Sequence, residues 1–319
     1  MMIGKKWTPD HSATKTEQKL DQAVIATLAF FALYDLPLSA RRTHELLLNQ
    51  IATLAEVEQA LAGLVLAGQI VQIGNLYSIK PWNQDQYYEN QKELTRKWAR
   101  VDRYFGWLTA LPFVRNISVI NSLALGTADS DSDIDFFVIT KRQRLYTVRS
   151  IIIVLFRLLG VYKTRQKIKD KFCFGFFVTP KNLNFEPLLI KPQDPYLLFW
   201  MCSMRPLFGG KYYWQLMQEN QWLTGYFPNF KPMQRLSSAR QPNIIAVAVK
   251  FLFEVALWLP AMVAEPILRR IHIDHTFKLA ENNTTASTTI AHADMLKLHA
   301  YDVRAEVAAA YEKVLQNLG

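Results

Sequence analysis

The sequence is poor in cysteine, and this scarcity excludes several ways of building a fold or a site. Among 319 residues only Cys173 and Cys202 are cysteines, and they form neither a Cys-x-x-Cys pair nor the ligand spacing of a zinc site. Each lies in an apolar run, as is typical of a core thiol in a reducing compartment. Residues 1–10 form a short polar stretch, so no signal peptide is expected. These absences predict a cytoplasmic protein without a disulfide framework.

Long uncharged apolar runs are also missing. The apolar stretch 145–159 is shorter than the roughly 20 residues that cross a bilayer, and it contains two arginines. The stretch 243–259 contains Lys250 and Glu254, a pair at helical spacing whose charges are costly at a bilayer centre. We therefore expect two core helices and no transmembrane segment, with peripheral membrane contact as the alternative for 243–259.

Negative charge is the minority charge in this chain. There are 37 Lys and Arg against 27 Asp and Glu, a formal net charge of +10 and a pI of about 9.5. This balance favours anionic partners such as nucleotides, nucleic acid or anionic lipid, without selecting one of them. Half of the residues are apolar, which argues against extended disorder, and the length accommodates two or three domains.

One segment, residues 117–140, combines several aspartates with strand-forming residues. An apolar run ends at Asn121, a small polar turn follows, and a second apolar run begins after Asp133. Because β-branched and aromatic residues fill both runs, the pattern predicts a strand, a turn and a second strand. Asp133 and Asp135 are two residues apart and therefore point to the same face of the second strand. Two such carboxylates repel each other, and a shared hard cation such as Mg²⁺ relieves the repulsion.

Other interpretations of this segment fit less well. A calcium loop beginning at Asp129 requires glycine and glutamate where Ile134 and Thr140 stand. Ser122 lacks the flanking glycines of a hydrolase nucleophile elbow. A solvated acidic turn without a ligand stays open as the alternative.

The order of these residues resembles a known signature. Asn121-Ser122 is followed by ten residues and then by Asp133-Ile134-Asp135. This pattern is similar to that of the DNA polymerase β-like nucleotidyltransferase superfamily, in which Gly-Ser precedes Asp-x-Asp at about this distance. The resemblance implies a Mg²⁺-dependent transfer of a nucleoside monophosphate to an acceptor hydroxyl, with Asp133 and Asp135 as catalytic metal ligands. It also implies contacts with the nucleoside triphosphate from four positions, Asn121, Ser122, Gly126 and Ser132.

Two departures from the signature favour an alternative function. Asn121 stands where the superfamily has glycine, and the third carboxylate that usually follows on a later strand is missing from the predicted strand 172–179. The acids that flank this strand are Asp170, Glu186 and Asp194, and none of them fits the pattern. The alternative is therefore a catalytically degenerate nucleotidyltransferase fold that senses nucleotides or binds protein or DNA. The sequence does not identify the acceptor.

Residues 17–82 resemble a winged helix. A helix is predicted over 17–33, Ser39 is placed to cap a second helix, and Thr53 begins a third with the capping-box partner Glu56. Gly74-Asn75 then predicts a two-residue β-hairpin. The third helix contains no lysine or arginine to contact phosphates, so a structural or protein-contact role is favoured over nucleic-acid binding.

The remaining chain predicts helices and one further strand. Helices are expected over 90–111, 145–159, 195–204, 243–259 and 291–318, a strand over 172–179 and a turn over 205–210. Pro260 and Pro266 are expected to break the chain after 259. Two basic segments, 96–103 and 163–171, are expected either to neutralise phosphate charge or to be solvated.

Together these patterns predict an α+β protein. A small mixed-sheet nucleotidyltransferase-like core, 83–215, is expected between a winged-helix-like module, 17–82, and a helical C-terminal region, 216–319, with a flexible tail at 1–16. An N-terminal wing beside a Ser-Asp-Ile-Asp core is similar to bacterial nucleotidyltransferase-domain proteins. That likeness covers most of the chain and implies no particular substrate.

Overall fold

A computed structural model describes residues 15–190, 194–237, 239–281, 289–298 and 302–318, and it confirms a mixed α+β protein. The described strands form two sheets, one of three strands and one of six. The predicted tail lies outside the described residues except for its last two positions, which begin the first helix.

The first sheet belongs to the N-terminal module. Its elements are α1 (Lys15–Ala32), β1 (Leu38–Ser39), α2 (Ala40–Glu45), α3 (Leu54–Leu66), β2 (Val71–Ile73) and β3 (Leu76–Ser78). The side chain of Ser39 accepts a hydrogen bond from the Arg42 backbone N–H, and Thr53 and Glu56 complete the predicted capping box. The three helices and the hairpin are confirmed. The sequence missed β1, which pairs antiparallel with β3.

The second sheet carries the acidic segment. Its strands are β4 (Val114–Ile120), β5 (Ile134–Thr140), β6 (Phe172–Val178), β7 (Arg205–Phe208), β8 (Ile290–His292) and β9 (Met295–Lys297). They lie in the order β7-β4-β5-β6-β9-β8, and only the pairing of β5 with β6 is parallel. Helix α7 (Leu145–Leu158) connects these two parallel strands, as a crossover must. The predicted turn at 205–210 is wrong over its first four residues, which pair with β4 as β7.

The helices around this sheet depart from the predictions, first where one long helix was expected. After α3 the described helices, α7 aside, are α4 (Gln84–Arg103), α5 (Phe105–Ala110), α6 (Asn121–Leu125), α8 (Pro195–Ser203), α9 (Gly210–Glu219), α10 (Leu223–Tyr226), α11 (Pro232–Leu236), α12 (Ile244–Ala256), α13 (Trp258–Glu281) and α14 (Arg304–Leu318). The single helix predicted over 90–111 is instead α4 and α5. They separate at Tyr104, whose N–H donates to the carbonyl of Val101 three residues back.

The C-terminal predictions are corrected in two ways. The helix predicted from residue 291 begins only at Arg304, because residues 290–297 form a hairpin that covers the edge of β6. The expected break after 259 lies slightly earlier, at Leu257, where α12 and α13 meet at a bend of 72°, and the break expected at Pro266 is wrong because α13 continues through both prolines. Pro260 lies in its first turn, where the N–H would have no helical acceptor, and Pro266 leaves only the carbonyl of Met262 without its usual donor.

The expectation of a core helix at 243–259 is wrong as well. Most large apolar side chains of α12 are exposed, whereas those of α7 pack on the sheet as predicted. The reason is that α12 turns its charged residues toward the core.

Two apolar clusters occupy the two faces of the larger sheet. Phe136 and Phe174 face the cluster that contains α7, whereas Phe137 and Phe176 face the cluster that contains α1 and α8. Since side chains alternate along a strand, Asp135 shares its face with Phe137. The acid pair therefore lies on the side of the sheet that α8 covers.

Candidate functional site

The structure brings the two predicted metal ligands together at the start of β5. Asp133 directly precedes the strand and Asp135 is its second residue, so both carboxylates lie on one face. One ligand atom from each of Asp133, Asp135 and Cys173 lies within 4.8 Å of the other two. The Asp133 side chain is 14% exposed and Asp135 is 8% exposed, so solvent reaches the pair from the Asp133 side.

The third member of this group is a thiol where the superfamily signature leads one to expect a carboxylate. Cys173 lies opposite Asp135 in the parallel pairing of β6 with β5, and its side chain is hydrogen-bonded to the Asp135 carboxylate. Burial raises the pKa of the Cys173 thiol well above its ordinary value, and the charge of Asp135 raises it further. The thiol therefore stays protonated and donates to Asp135. The prediction of a core thiol at Cys173 did not include this contact. A parallel alignment of the Asp-Ile-Asp strand with Phe-Cys-Phe would have suggested it.

The carboxylate of Asp135 is held in an unfavourable environment. Burial, followed by the nearby charge of Asp133, raises the pKa of Asp135 to about 6. The ammonium of Lys163 and hydrogen bonds from Cys173 and Asn121 act in the opposite direction and only partly compensate. An additional cation beside the pair would relieve both the burial and the repulsion.

Lys163 supplies the positive charge that now faces the pair. Its Nζ lies 2.6 Å from Oδ2 of Asp133. Burial opposes the charge of Lys163, but the acidic groups around it outweigh that effect and raise its pKa. The sequence placed this lysine in the basic turn 163–171 without distinguishing it from its neighbours. Its ammonium lies beside the carboxylates where a metal ion would also bind.

Asn121 joins the acid pair to the helix that covers it. Its φ of +55° lies in the left-handed region, which asparagine tolerates better than most residues. Its Oδ1 accepts a hydrogen bond of 2.8 Å from the indole N–H of Trp200 in α8, and its side chain is also hydrogen-bonded to Asp135. Asn121 therefore fixes the orientation of Asp135.

The predicted polar turn is present over residues 126–133, but the short helix α6 precedes it and involves Gly126. Gly126 ends the helix with a φ of +94°, and its N–H and that of Thr127 both donate to the carbonyl of Ser122. The amide of Gly126 is therefore engaged in the cap and is not presented to the acid pair. The hydroxyl of Ser122 makes no hydrogen bond with the described residues, so it is free to contact a ligand.

Ser132 shapes the loop that leads into Asp133. Its hydroxyl donates to Oδ1 of Asp129 at 2.6 Å, and that oxygen also accepts from the backbone N–H groups of Asp131 and Ser132. Among the described residues the hydroxyl of Ser132 is engaged within its own turn, and its predicted contact with a nucleotide stays a prediction.

A buried lysine holds the same loop from the other side. Nζ of Lys97 donates to the carbonyl of Ser132 at 2.8 Å and to Oδ1 of Asp170 at 2.7 Å, and Arg96 contacts both oxygens of Asp170. Burial alone would raise the pKa of Asp170, but hydrogen bonds from Arg96 and Lys97 lower it to about 2. Asp170 is therefore bound to Arg96 and Lys97, which together with it form a clamp on the loop, and it does not act as a third metal ligand. Asp194, another flanking acid, caps α8 and pairs with Arg304.

Replacing Lys97 with methionine is expected to lower the free energy of unfolding by about 2–3 kcal/mol, because Asp170 and the carbonyl of Ser132 lose a fully buried donor. Lys92→Met on the same helix is the control, since Lys92 is 71% exposed and its pairing with Glu89 contributes less than about 0.5 kcal/mol. Urea unfolding at neutral pH measures both. In the wild type the contribution of ionised Asp170 is complete above its ordinary pKa of 3.8 and declines as the pH falls toward about 2. Equal losses in the two variants would contradict the clamp.

Aromatic residues from two elements cover the site. Trp200 and Tyr196 come from α8, and Tyr34 comes from the loop after α1. Burial, with smaller contributions from Tyr34 and Asp135, raises the pKa of Tyr196. The hydroxyl of Tyr34 is buried without a hydrogen-bond partner among the described residues. The N-terminal residues therefore place the hydroxyl of Tyr34 near Tyr196, which in turn interacts with Asp135.

Two cavities of the described residues lie away from the acids. One of about 340 Å³ opens between α2, α4 and α6 and is lined by Trp98, Phe105, Gly126 and Arg205, among others. The other, of about 350 Å³, lies beside α13. Neither is lined by Asp133 or Asp135, whereas Gly126 lines the first.

Comparison of the chain with protein-family models, with curated proteins and with solved structures gives no match.

Proposed function

We propose that this protein binds a nucleoside triphosphate through a divalent cation held by Asp133 and Asp135, and that it transfers the nucleoside monophosphate to an acceptor hydroxyl. The observation that supports this most directly is the pair of adjacent carboxylates on one strand face, of which Asp135 is buried and has a pKa raised to about 6. Such a pair gains stability when a cation binds. The Asn-Ser and Asp-Ile-Asp signature supports a nucleotide as the further ligand.

The donor set fits Mg²⁺ through its oxygens. Carboxylates are the ligands that Mg²⁺ prefers, and it commonly takes one or two of them together with substrate phosphates. The thiol of Cys173 is a soft ligand that suits Mg²⁺ poorly, so its role is the hydrogen bond to Asp135. When bound, Mg²⁺ would supply positive charge to the phosphates during transfer.

The residues of the chain then have distinct tasks. Asn121 and Cys173 orient Asp135. Lys163 is 34% exposed and can turn from Asp133 to a phosphate oxygen when the site is loaded. The acceptor oxygen bonds to the α-phosphorus, the bond to the bridging oxygen breaks, pyrophosphate leaves and the acceptor proton passes to solvent.

Calorimetric titration tests this proposal. ATP, GTP, CTP and UTP are titrated in turn into the wild type with Mg²⁺, and then into the variant Asp133→Asn/Asp135→Asn. We expect Mg²⁺-dependent binding of at least one nucleotide by the wild type and none by the variant. Absence of binding by the folded wild type would overturn the proposal.

A second candidate function is nucleotide binding without transfer. It is favoured by Cys173 in the place of the third carboxylate and by the ion pair of Lys163 with Asp133. A cytoplasmic location, which the two free cysteines favour, fits either function.

The variant Cys173→Asp separates these functions, because it adds the missing carboxylate. We expect it to lose stability without metal and to bind Mg²⁺ about tenfold more tightly, since affinity rises with the number of charged ligands. Cys173→Ser is the control, because it keeps the size and neutrality of the side chain. If only Cys173→Asp shows transfer of labelled nucleotide to an added alcohol, the wild type is the binding form. Transfer by the wild type supports the enzyme.

The N-terminal module is proposed to be a winged helix used for structural or protein contact. Its third helix, α3, presents Glu56 and Glu58 to solvent and contains no lysine or arginine. A recognition helix of this kind lacks the attraction to phosphates on which DNA affinity depends. DNA binding with a steep dependence on salt would overturn this assignment.

A further inference from the structure

Helix α12 is inverted relative to a surface helix, because its charged side chains face the protein. Glu254 accepts hydrogen bonds from the backbone N–H of Phe113 at 2.7 Å and from Arg115 at 2.8 Å. Nζ of Lys250, one turn earlier, donates to the carbonyl of Val114. The polar residues of α12 therefore fix it to β4 and leave its apolar residues outward.

The outward apolar surface is broad. On α12 it includes Ile244, Ile245, Phe251, Leu252, Phe253 and Val255, each between 52% and 83% exposed. The consecutive residues 251–253 spread over about 200° of the helix, because each step turns the chain by about 100°. A single partner helix covers a narrower stripe, whereas lipid surrounds a helix on every free side.

The same surface continues onto neighbouring elements. Trp258, Leu259 and Met262 of α13 are between 47% and 56% exposed, and Trp107 of α5 is 49% exposed. Within the described residues no single helix is long and apolar enough to cross a membrane, whereas α12 and α13 meet that criterion together as a pair bent by 72°. The bend, and the charged contacts of α12 with β4, suit a position in the membrane surface.

A cationic cavity borders this surface. It has a volume of about 350 Å³, and its basic lining residues are Arg142, Arg144, Lys181 and Arg269. The two acids in its wall are already engaged, because Glu265 accepts three hydrogen bonds from the first turn of α7 and Asp294 accepts one from Thr179.

One of these cations is a buried, incompletely paired arginine. Arg144 is 5% exposed and donates to the carbonyl of Trp258, where α12 meets α13. Its Nε has no partner among the described residues. Met262 and Pro266 line the same cavity, so the cations lie directly beside the apolar surface.

We propose that α12 and α13 dock into the surface of a bilayer that contains anionic lipid, with a phosphate headgroup in the cavity around Arg144. Apolar burial supplies the anchor, and the cationic cavity selects the headgroup charge. The inference is independent of the proposed nucleotide chemistry, because it uses none of the residues of that site.

Vesicle flotation tests the proposal with the full chain. We expect the wild type to float with vesicles of phosphatidylcholine and phosphatidylglycerol, and much less with phosphatidylcholine alone. Leu252→Asp is expected to lower the partition coefficient about tenfold or more, and Arg269→Glu roughly thirtyfold. The matched controls are Leu66→Asp, at a leucine of α3 that is 90% exposed, and Lys211→Glu, at an exposed lysine of α9, and neither is expected to change it.

Several results would overturn the docking proposal. They are a wild type that does not float, equal flotation with both vesicle types, and equal losses in the tested and control variants. A lipid-free dimer that Leu252→Asp converts to monomer would assign the surface to a second copy. Quenching of tryptophan emission by brominated lipid is a second readout. It should weaken in Trp258→Phe, and an unchanged signal would place Trp258 outside the bilayer.

Discussion

Replacing Gly209 with alanine is expected to lower the free energy of unfolding by more than about 4 kcal/mol or to prevent folding. Gly209 follows β7 with a φ of +76°, a conformation that side chains with a Cβ rarely adopt. An added Cβ would lie 2.0 Å from the carbonyl oxygen of Arg115 and 2.8 Å from Cα of Asn116. Both are backbone atoms of β4, so neither can turn aside as a flexible side chain would.

The surroundings of Gly209 explain why the chain cannot simply move away. The side-chain amide of Asn116 is buried and donates to the carbonyl of Phe208 at 2.6 Å, which fixes the end of β7 on β4. Gly68→Ala is the matched control, because Gly68 has a similar φ of +69° with open space around it. It should lose only about 1 kcal/mol in urea unfolding. Similar losses at both positions would show that the close approach to β4 is unimportant.

Replacing Asp135 with asparagine is expected to stabilise the protein while removing its metal site. Raising the pKa of Asp135 from 3.8 to about 6 disfavours the folded state at neutral pH by about 3 kcal/mol, and a neutral side chain avoids this. Affinity for nucleotide with Mg²⁺ should fall more than about a hundredfold. Loss of a residue that only supports a metal ligand typically lowers affinity by about ten- to a hundredfold, and Asp135 would be a ligand itself. Denaturant unfolding and calorimetry measure the two effects.

The stability of the wild type should depend on pH in a direction that the raised pKa of Asp135 determines. Between about pH 3.8 and 6 the folded state holds a proton on Asp135 that the unfolded state has lost, so stability rises as the pH is lowered through this range. Asp135→Asn should remove that rise, and saturating Mg²⁺ should weaken it. Asp131→Asn is the control, since Asp131 is 86% exposed and lies 3.8 Å from its nearest cation. A destabilised Asp135→Asn would contradict the unfavourable burial of this carboxylate.

Features that depend on neighbouring residues were predicted well from the sequence. Alternation along β5 placed Asp133 and Asp135 on one face, and the structure confirms this arrangement. The Thr53–Glu56 capping box and the turn at Gly74-Asn75 were also predictable, because the bonds that define them join residues close in sequence.

Features that depend on distant residues were not predictable. Cys173 enters the site only because β6 pairs in parallel with β5, and Lys163 reaches Asp133 only because the loop before β6 folds back. The strand β7 looked like a turn because Pro206 and Gly209 are turn residues, and its pairing with β4 is decided by that distant partner. The inverted α12 was mistaken for a core helix because its apolar content does not reveal which side faces the protein.

The hairpin of β8 and β9 has a consequence for the order in which the protein is made. The edge of β6 is covered only when residues 290–297 have left the ribosome, about 120 residues after the end of β6. At typical rates of synthesis this takes roughly 5–20 seconds. During that time the nascent chain presents an unpaired, aromatic-rich strand edge, which is a template for pairing with another copy. Synthesis of the hairpin therefore ends the period during which the edge of β6 is unpaired. A chaperone that binds this edge would be most useful in that period.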